Sequence, residues 1–139
     1  AAIATGLRVL LCVGESLSVR DDGRAEEYVE EQAARALAGI TERERREVML
    51  AYEPVWSIGD DGTPAHPAYV AGVIATLRGC GTGPVLYGGS VNVANARELL
   101  STGGADGLFI GRAAWNPTGF LELVAVGGEI ARERRIGAA

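Results

Sequence analysis

The sequence predicts an α/β fold built from parallel strand–helix units. Four short apolar runs, rich in Val, Ile and Leu, are continuous rather than alternating, which is typical of strands buried on both faces of a parallel sheet. A glycine-containing loop follows each run, and a segment with helical character follows each loop. The 139 residues suffice for one domain with a sizeable core. We therefore expect four successive units in a single domain, residues 1–139.

The elements follow in chain order. The predicted strands are 8–13, 48–52, 84–87 and 107–110. The predicted helices are 25–38, 67–78, 92–100 and 117 to about 130. Two of these helices begin with a proline, Pro67 and Pro117, whose missing N–H would be unpaired in a first helical turn anyway. The charged runs 41–48 and 131–135 are predicted to be solvated helix faces.

Composition narrows the possible partners. Eighteen acidic residues against 13 basic ones give a net charge of -5, which provides no strong positive field for nucleic acid. No apolar run approaches the ~18 residues of a membrane span, and the N-terminus lacks the order of a signal peptide. The two cysteines, Cys12 and Cys80, fit reduced thiols better than a disulfide framework. We expect a soluble cytoplasmic protein with no nucleic-acid or membrane partner.

The stretch AYEPVWSIGDDGTP, residues 51–64, places a lone carboxylate, Glu53, at the end of the second strand. Pro54 restricts Glu53 to an extended conformation. The apolar segment that follows could close over a ligand, exclude water and raise the basicity of the carboxylate, as proton abstraction next to a carbonyl requires. The alternative is an ordinary strand-end acid that caps a helix or pairs with an arginine.

The loops after the last two strands carry features that suit a phosphate group. In YGGSV, Gly88 and Gly89 allow the backbone to approach a ligand, and Ser90 leads into a helix whose free N–H groups attract anions. Gly111 follows the fourth strand directly, and Arg112 adds a positive charge beside it. Alone, each has an ordinary explanation, a tight turn or a surface ion pair. Together, on consecutive strand ends, they predict a phosphate site.

The order CVGE, AYEPVWSIG, YGGSV and DGLFIGRAAW resembles the second half of the triosephosphate isomerase family over nearly the whole chain. The resemblance implies the C-terminal half of a TIM (β/α)₈ barrel, with strand–helix units 5–8 in this chain. It also implies an isomerase that interconverts aldose and ketose sugar phosphates through an enediol or enediolate, with Glu53 as the catalytic base. By the same resemblance we expect a homodimer that acts in glycolysis and gluconeogenesis.

The resemblance also assigns roles to the surrounding residues. The residues implied to bind the substrate phosphate are Gly59, Ser90 and Gly111, and Arg112 is predicted to join them because of its positive charge beside Gly111. Those implied to form the lid and its support are Pro54, Val55, Trp56, Ile58, Tyr87, Gly88, Gly89 and Glu15. Among the latter, Ile58 is similar to the apolar lid tip that shields the base, Tyr87 to the hydroxyl that holds the lid shut, and Glu15 to the carboxylate that supports the lid tryptophan.

The sequence departs from the family pattern in three places. Arg112 stands where the family usually has a second glycine. The far side of the lid reads DDGTPAHP, about one residue longer than usual and without the Gly, Lys and Thr-rich hinge. The sole histidine, His66, has no role in the family and is expected to be a loop or capping residue.

The family's lysine and histidine, which stabilise the developing negative charge, lie in the first half of the barrel, outside the segment that this sequence matches. We therefore expect residues 1–139 alone to be nearly inactive and to have two exposed parallel sheet edges. The chain is then a fragment, a split gene product or a truncated sequence. Its expected partner is the missing N-terminal half-barrel or a second copy of itself.

The substrate remains open between two phosphorylated sugars. Interconversion of dihydroxyacetone phosphate and glyceraldehyde 3-phosphate is the first expectation. WSIG and GLFIGRAAW resemble the family branch that converts L-erythrulose 1-phosphate to D-erythrulose 4-phosphate. A non-catalytic phosphate-binding half-barrel, or half of a β/α barrel of the histidine- or tryptophan-biosynthesis kind, is the alternative. No cofactor is expected, and no metal, because Cys12, Cys80 and His66 lack ligand spacing.

Overall fold

The computed structural model describes residues 1–137 and contains one four-stranded parallel sheet in the order β1-β2-β3-β4. The strands are Val9–Val13 (β1), Val48–Tyr52 (β2), Val85–Gly88 (β3) and Gly107–Phe109 (β4). The α-helices are Leu17–Asp21 (α1), Ala25–Ala36 (α2), Glu42–Arg46 (α3), Pro67–Arg78 (α4), Val93–Ser101 (α5) and Pro117–Gly137 (α6). Short 3₁₀ turns cover Ile3–Thr5, Val55–Ser57 and Arg112–Ala114. The predicted parallel α/β fold is confirmed.

Side-chain caps explain where several helices begin. Thr41 and Glu44 form a reciprocal capping box at the start of α3. Asn92 caps α5 by accepting from the amide of Asn95. His66 caps α4, because its Nδ1 accepts from the amide of Ala68 at 3.3 Å, as its position before a helix-starting proline led us to expect. At the other end of the chain, α6 continues through the predicted charged run to Gly137 instead of ending near residue 130.

The core lies between the sheet and the helices that follow its strands. α2 packs on β1, α4 on β2 and β3, and α5 on β4, and neighbouring helices pack on one another. The buried apolar residues come mainly from the central strands and from α2, α4 and α5. Burial of this apolar area supplies the main stabilisation and fixes the strand ends relative to one another.

The prediction that all four strands are buried on both faces is correct for the central strands and wrong for the edges. Nearly every residue of β2 and β3 is buried. In contrast, Cys12 of β1 is exposed and Phe109 of β4 is 38% exposed. The physical reason is that the sheet is not closed, so β1 and β4 each have a neighbour on one side only. An open four-stranded sheet of this order fits part of a TIM barrel.

Three further features bear on the predicted chemistry. Cys12 and Cys80 are free cysteines, the first exposed and the second partly buried. Within residues 1–137, no helix is both long and apolar enough to cross a membrane. The same residues contain no group of three or more His, Cys, Asp or Glu side chains that could hold a metal ion.

Leu50 provides a test of the core. This residue of β2 is completely buried, so we expect Leu50→Ala to lower the free energy of unfolding by about 2–5 kcal/mol through lost burial and a residual cavity. Leu121→Ala, at a position of α6 that is 65% exposed, is the matched control and should change it by less than about 0.5 kcal/mol. Urea unfolding followed by circular dichroism measures both. Equal effects would contradict the described core.

Candidate active site

A cavity of about 510 Å³ lies at the carboxyl ends of the strands, where a parallel α/β fold usually binds its ligand. The predicted site residues that line it are Glu53, Ile58, Gly59, Gly89, Ser90, Gly111 and Arg112. Other lining residues, which sequence reasoning did not select, include Gly62, Asn92 and Phe109. The structure thus brings the predicted base and the four predicted phosphate residues to one cavity.

Glu53 is held at the end of β2 by close backbone contacts. Its amide donates to the carbonyl of Val13 at 2.8 Å, which extends the pairing of β1 and β2 by one residue. A Cβ atom on Gly14 would lie 1.8 Å from the Glu53 carbonyl oxygen. A Cβ atom on Gly88 would lie 2.8 Å from Glu53 Cγ and 2.9 Å from its Oε1. Only glycine at these two positions leaves room for this placement of Glu53.

Cys12, on β1, is a neighbour of Glu53 that was not predicted from the sequence. The pKa of the Cys12 thiol is raised to about 11, first because the thiol is partly removed from water, then through its hydrogen bond to Glu53 and repulsion by that carboxylate. The thiol therefore stays protonated near neutral pH and can donate to the carboxylate. The strand alternation that points Cys12, Ala51 and Glu53 to the same face of the sheet was the available signal.

The segment 54–66, called the lid below, begins with the 3₁₀ turn Val55–Ser57 and folds back on itself. The amide of Thr63 donates to the carbonyl of Trp56 at 3.2 Å. Ser90, which has a positive φ of 42°, places its Oγ 2.8 Å from the carbonyl oxygen of Ser57 and 3.0 Å from that of Gly62. The loop after β3 therefore contacts both arms of the lid.

Tyr87, which lies in β3, also contacts the lid. Its hydroxyl lies 3.2 Å from Ser57 Oγ, and both residues are fully buried. Burial raises the pKa of Tyr87, so the hydroxyl keeps its proton for hydrogen bonding. Gly89 makes the approach possible, since a Cβ atom there would lie 2.8 Å from Ser57 Oγ. Sequence reasoning missed Ser57, although it lies inside the quoted motif WSIG.

Glu15 contacts the first arm of the lid, the 3₁₀ turn Val55–Ser57, through Trp56. It is completely buried, and its Oε1 accepts from Trp56 Nε1 at 2.8 Å, Tyr69 Oη at 2.9 Å and Tyr52 Oη at 3.1 Å. Burial, followed by the negative charge of Glu15, raises the pKa of both tyrosines. The guanidinium of Arg20 covers the Trp56 ring at 4.3 Å from its centroid. Glu15 therefore supports the lid from outside the cavity, and the two tyrosines and Arg20 were not foreseen.

Arg112 points its guanidinium at the lid. Nη1 donates to the carboxylate of Asp60, and Nη2 donates to the carbonyl of Gly59. From the sequence, Arg112 was predicted to bind phosphate and Asp60 had no predicted partner, because the two residues are 52 positions apart in the chain. Like Glu15, five other predicted lid and support residues do not line the cavity: Pro54, Val55, Trp56, Tyr87 and Gly88.

With this geometry established, comparison with known proteins identifies the family. The family model described as triosephosphate isomerase matches residues 1–127. The chain belongs to the triosephosphate isomerase family. The resemblance noted in the four sequence motifs is therefore confirmed.

Several relatives within the triosephosphate isomerase family carry a more specific name. The chain is 47% identical over 132 residues to the L-erythrulose-1-phosphate isomerase of Rhizobium rhizogenes, a match that covers 90% of this chain and 51% of the relative. It is 44% identical to the protein of that name from Brucella abortus, with 90% and 52% covered. The Mycolicibacterium smegmatis protein of that name is 43% identical, with 89% and 48% covered. The chain thus spans about half the length of the curated relatives that it matches.

The contact between Cys12 and Glu53 predicts a pH dependence. The Cβ resonance of Cys12, followed by NMR in ¹³C-cysteine-labelled folded protein, should titrate near pH 11. Glu53→Gln removes the negative charge that disfavours the thiolate, so the midpoint should fall, although burial, the largest cause, still holds it above the ordinary value.

Cys80 is the internal control for this titration, since its pKa is raised by burial and by Glu30 instead of Glu53. Its midpoint should not move in Glu53→Gln. An unchanged Cys12 midpoint in that variant would contradict the contact.

Proposed function

We propose that this chain supplies the base-bearing half of an isomerase that acts on a phosphorylated four-carbon ketose, L-erythrulose 1-phosphate, and yields D-erythrulose 4-phosphate. The observation that carries the proposal is that Glu53 and the four predicted phosphate residues line one cavity beneath a lid. The name of the substrate comes from relatives that are 42–47% identical. The expectation of a triose phosphate, placed first on sequence alone, becomes the second candidate.

Glu53 performs the proton transfer in this proposal. Its carboxylate removes a proton from the hydroxyl-bearing carbon next to the carbonyl, and the electron pair of that C–H bond forms an enediolate. The proton then returns to the former carbonyl carbon while the hydroxyl proton moves between the two oxygens, so the carbonyl shifts by one carbon. Gly88 leaves room for the carboxylate at the end of β2, so that its position is fixed before the substrate binds.

The phosphate group is bound at the other end of the cavity. Main-chain amides of Gly59, Ser90 and Gly111 are the proposed donors, and Arg112 is the one cation among the described lining residues. Glu53 is the one acid in that lining, so the cavity has no excess of negative charge against a phosphate dianion. Phosphate and base are thereby held at the two ends of a short sugar, which is the arrangement that positional catalysis requires.

The chain requires a second half to complete the reaction. General base catalysis contributes about 10²–10⁴-fold on its own. Loss of the groups that stabilise the enediolate costs on the order of 10²–10³-fold. The open edges of β1 and β4 provide the places at which further strands would pair. Below, "the assembled barrel" means this chain together with the half that closes its sheet, whether from the same polypeptide, another chain or a second copy.

A non-catalytic phosphate-binding half-barrel is the alternative. Such a protein would use Ser90, Gly111 and Arg112 but would have no use for a carboxylate under a lid. The close packing of the Glu53 side chain on Gly88 favours the enzyme, because Gly88 leaves room for that carboxylate and a phosphate would not require it.

Shortening the base by one methylene tests the role of Glu53. In the assembled barrel we expect Glu53→Asp to lower kcat by about 10²-fold or more with little change in KM, because the carboxylate no longer reaches the carbon-bound proton. Glu98→Asp, at an exposed position of α5, is the matched control and should leave both constants unchanged. Steady-state assays measure them. Turnover of Glu53→Asp equal to that of Glu98→Asp would remove Glu53 from the base role.

A direct comparison of substrates tests the specificity. The assembled barrel should have a higher kcat/KM for L-erythrulose 1-phosphate than for dihydroxyacetone phosphate, each measured by coupled assay at equal enzyme concentration. A preference for the triose phosphate would establish the second candidate. Turnover of neither sugar phosphate, with inorganic phosphate still bound, would establish the non-catalytic alternative.

A further inference from the structure

We propose that Asp60 and Arg112 form a latch that holds the lid over the cavity and thereby retains a bound phosphate. The proposal rests on the proposed function for the identity of the ligand, but not for the contact itself. It assigns a positioning role to Asp60, which the sequence analysis did not select, and a second role to Arg112, which it assigned to phosphate alone.

The latch holds the part of the lid that has the fewest other contacts. Glu15 holds the first arm through Trp56, and Ser90 contacts the carbonyls of Ser57 and Gly62. Gly59 and Asp60 lie between Ser57 and Gly62. Among the described residues outside the lid, Arg112 is the one that hydrogen-bonds to them. This part of the lid, residues 59 and 60, is called the lid tip below. One side chain, that of Arg112, holds it to the rest of the described protein.

The backbone that carries Arg112 is held by local hydrogen bonds and packing. It opens the 3₁₀ turn Arg112–Ala114, in which the amide of Ala114 donates to Gly111 at 2.9 Å and that of Trp115 to Arg112 at 3.0 Å. This turn packs on α6, so the loop after β4 gives the guanidinium a defined starting point. A guanidinium has five N–H donors in a planar fork, so it can contact Asp60, the Gly59 carbonyl and an anion in the cavity at the same time.

The charges of Arg112 and Asp60 explain why a bound phosphate should affect the latch. Arg112 lines the cavity, whereas Asp60 does not. A bound phosphate dianion would draw the guanidinium towards the cavity and order it, and the lid tip would be ordered with it. The latch is also exposed, since the side chains of Arg112 and Asp60 are 51% and 92% accessible, so its effect should be moderate and weakened by salt.

The latch and simple electrostatics predict opposite results for Asp60→Asn, which makes this variant decisive. If Asp60 acted only as a nearby negative charge, its removal would strengthen the binding of inorganic phosphate. If Asp60 is half of the latch, its removal frees the lid tip, and phosphate binding to the assembled barrel should weaken by about two- to fivefold, the effect of an exposed ion pair. Isothermal titration calorimetry at low ionic strength measures the dissociation constant.

The neighbouring acid gives a matched control. Asp61 has the same charge and lies one position further along the lid, but it is not among the contacts of Arg112. Asp61→Asn should leave phosphate binding unchanged or slightly stronger. In an Arg112→Gln background, which has already lost the latch, Asp60→Asn should cause no further weakening. An additive loss in the double variant, or equal losses in Asp60→Asn and Asp61→Asn, would overturn the latch.

A measurement without ligand separates this proposal from the proposed function. Hydrogen exchange of peptides that span residues 54–66, followed by mass spectrometry, reports lid opening directly. We expect about two- to fivefold faster exchange in Asp60→Asn and in Arg112→Gln than in the unaltered protein or Asp61→Asn, with the difference lost at high salt. Unchanged exchange in Asp60→Asn would overturn the latch. Faster exchange in a protein that binds no phosphate would uphold the latch and overturn the proposed function.

Discussion

The close contact between Glu53 and the backbone of Gly88 is the constraint on which the rest of this site depends. It places a carboxylate from the end of β2 directly against the end of β3, where a side chain of any size would displace it. Because adjacent parallel strands are held in register by their backbone hydrogen bonds, this placement follows from the sheet and not from a flexible loop. The cavity, the lid and the neighbouring thiol are all arranged around that fixed point.

The lid gains its position from hydrogen bonds to groups on the neighbouring strands and loops. A buried carboxylate, Glu15, accepts three hydrogen bonds at a single oxygen, one of them from the lid tryptophan. On the same arm, the hydroxyl groups of Tyr87 and Ser90 contact the lid at Ser57. Since buried polar groups are costly when unpaired, these contacts favour one arrangement of the lid over alternatives that would leave them unsatisfied.

Much of the fold could be predicted because local signals and the global architecture agree. Continuous apolar runs indicated the strands, and prolines indicated where two helices begin, as Pro67 and Pro117 show. The exposure of Cys12 and Phe109 could not be predicted in this way, because it depends on whether the sheet closes and not on the composition of β1 or β4. Strand patterning describes what a strand is suited to, whereas its burial depends on its neighbours.

The candidate site was predictable where residues follow strand ends and unpredictable where they meet across the chain. Glu53, Ser90 and Gly111 could be grouped because parallel strands end at one edge of the sheet. The partner of Arg112 and the third donor to Glu15, Tyr69, come from distant segments whose spacing carries no periodic signal. Contacts of this kind depend on side-chain direction in three dimensions, which a motif does not encode.

The environment of Trp56 has a practical consequence. Its indole donates to Glu15 and lies beneath Arg20, so its fluorescence emission should respond when the first arm of the lid moves. Trp115, the other tryptophan of the chain, is 79% exposed and should emit at longer wavelength and be quenched readily by iodide. The two signals are thus separable, and the protein carries its own optical reporter of lid motion without an attached dye.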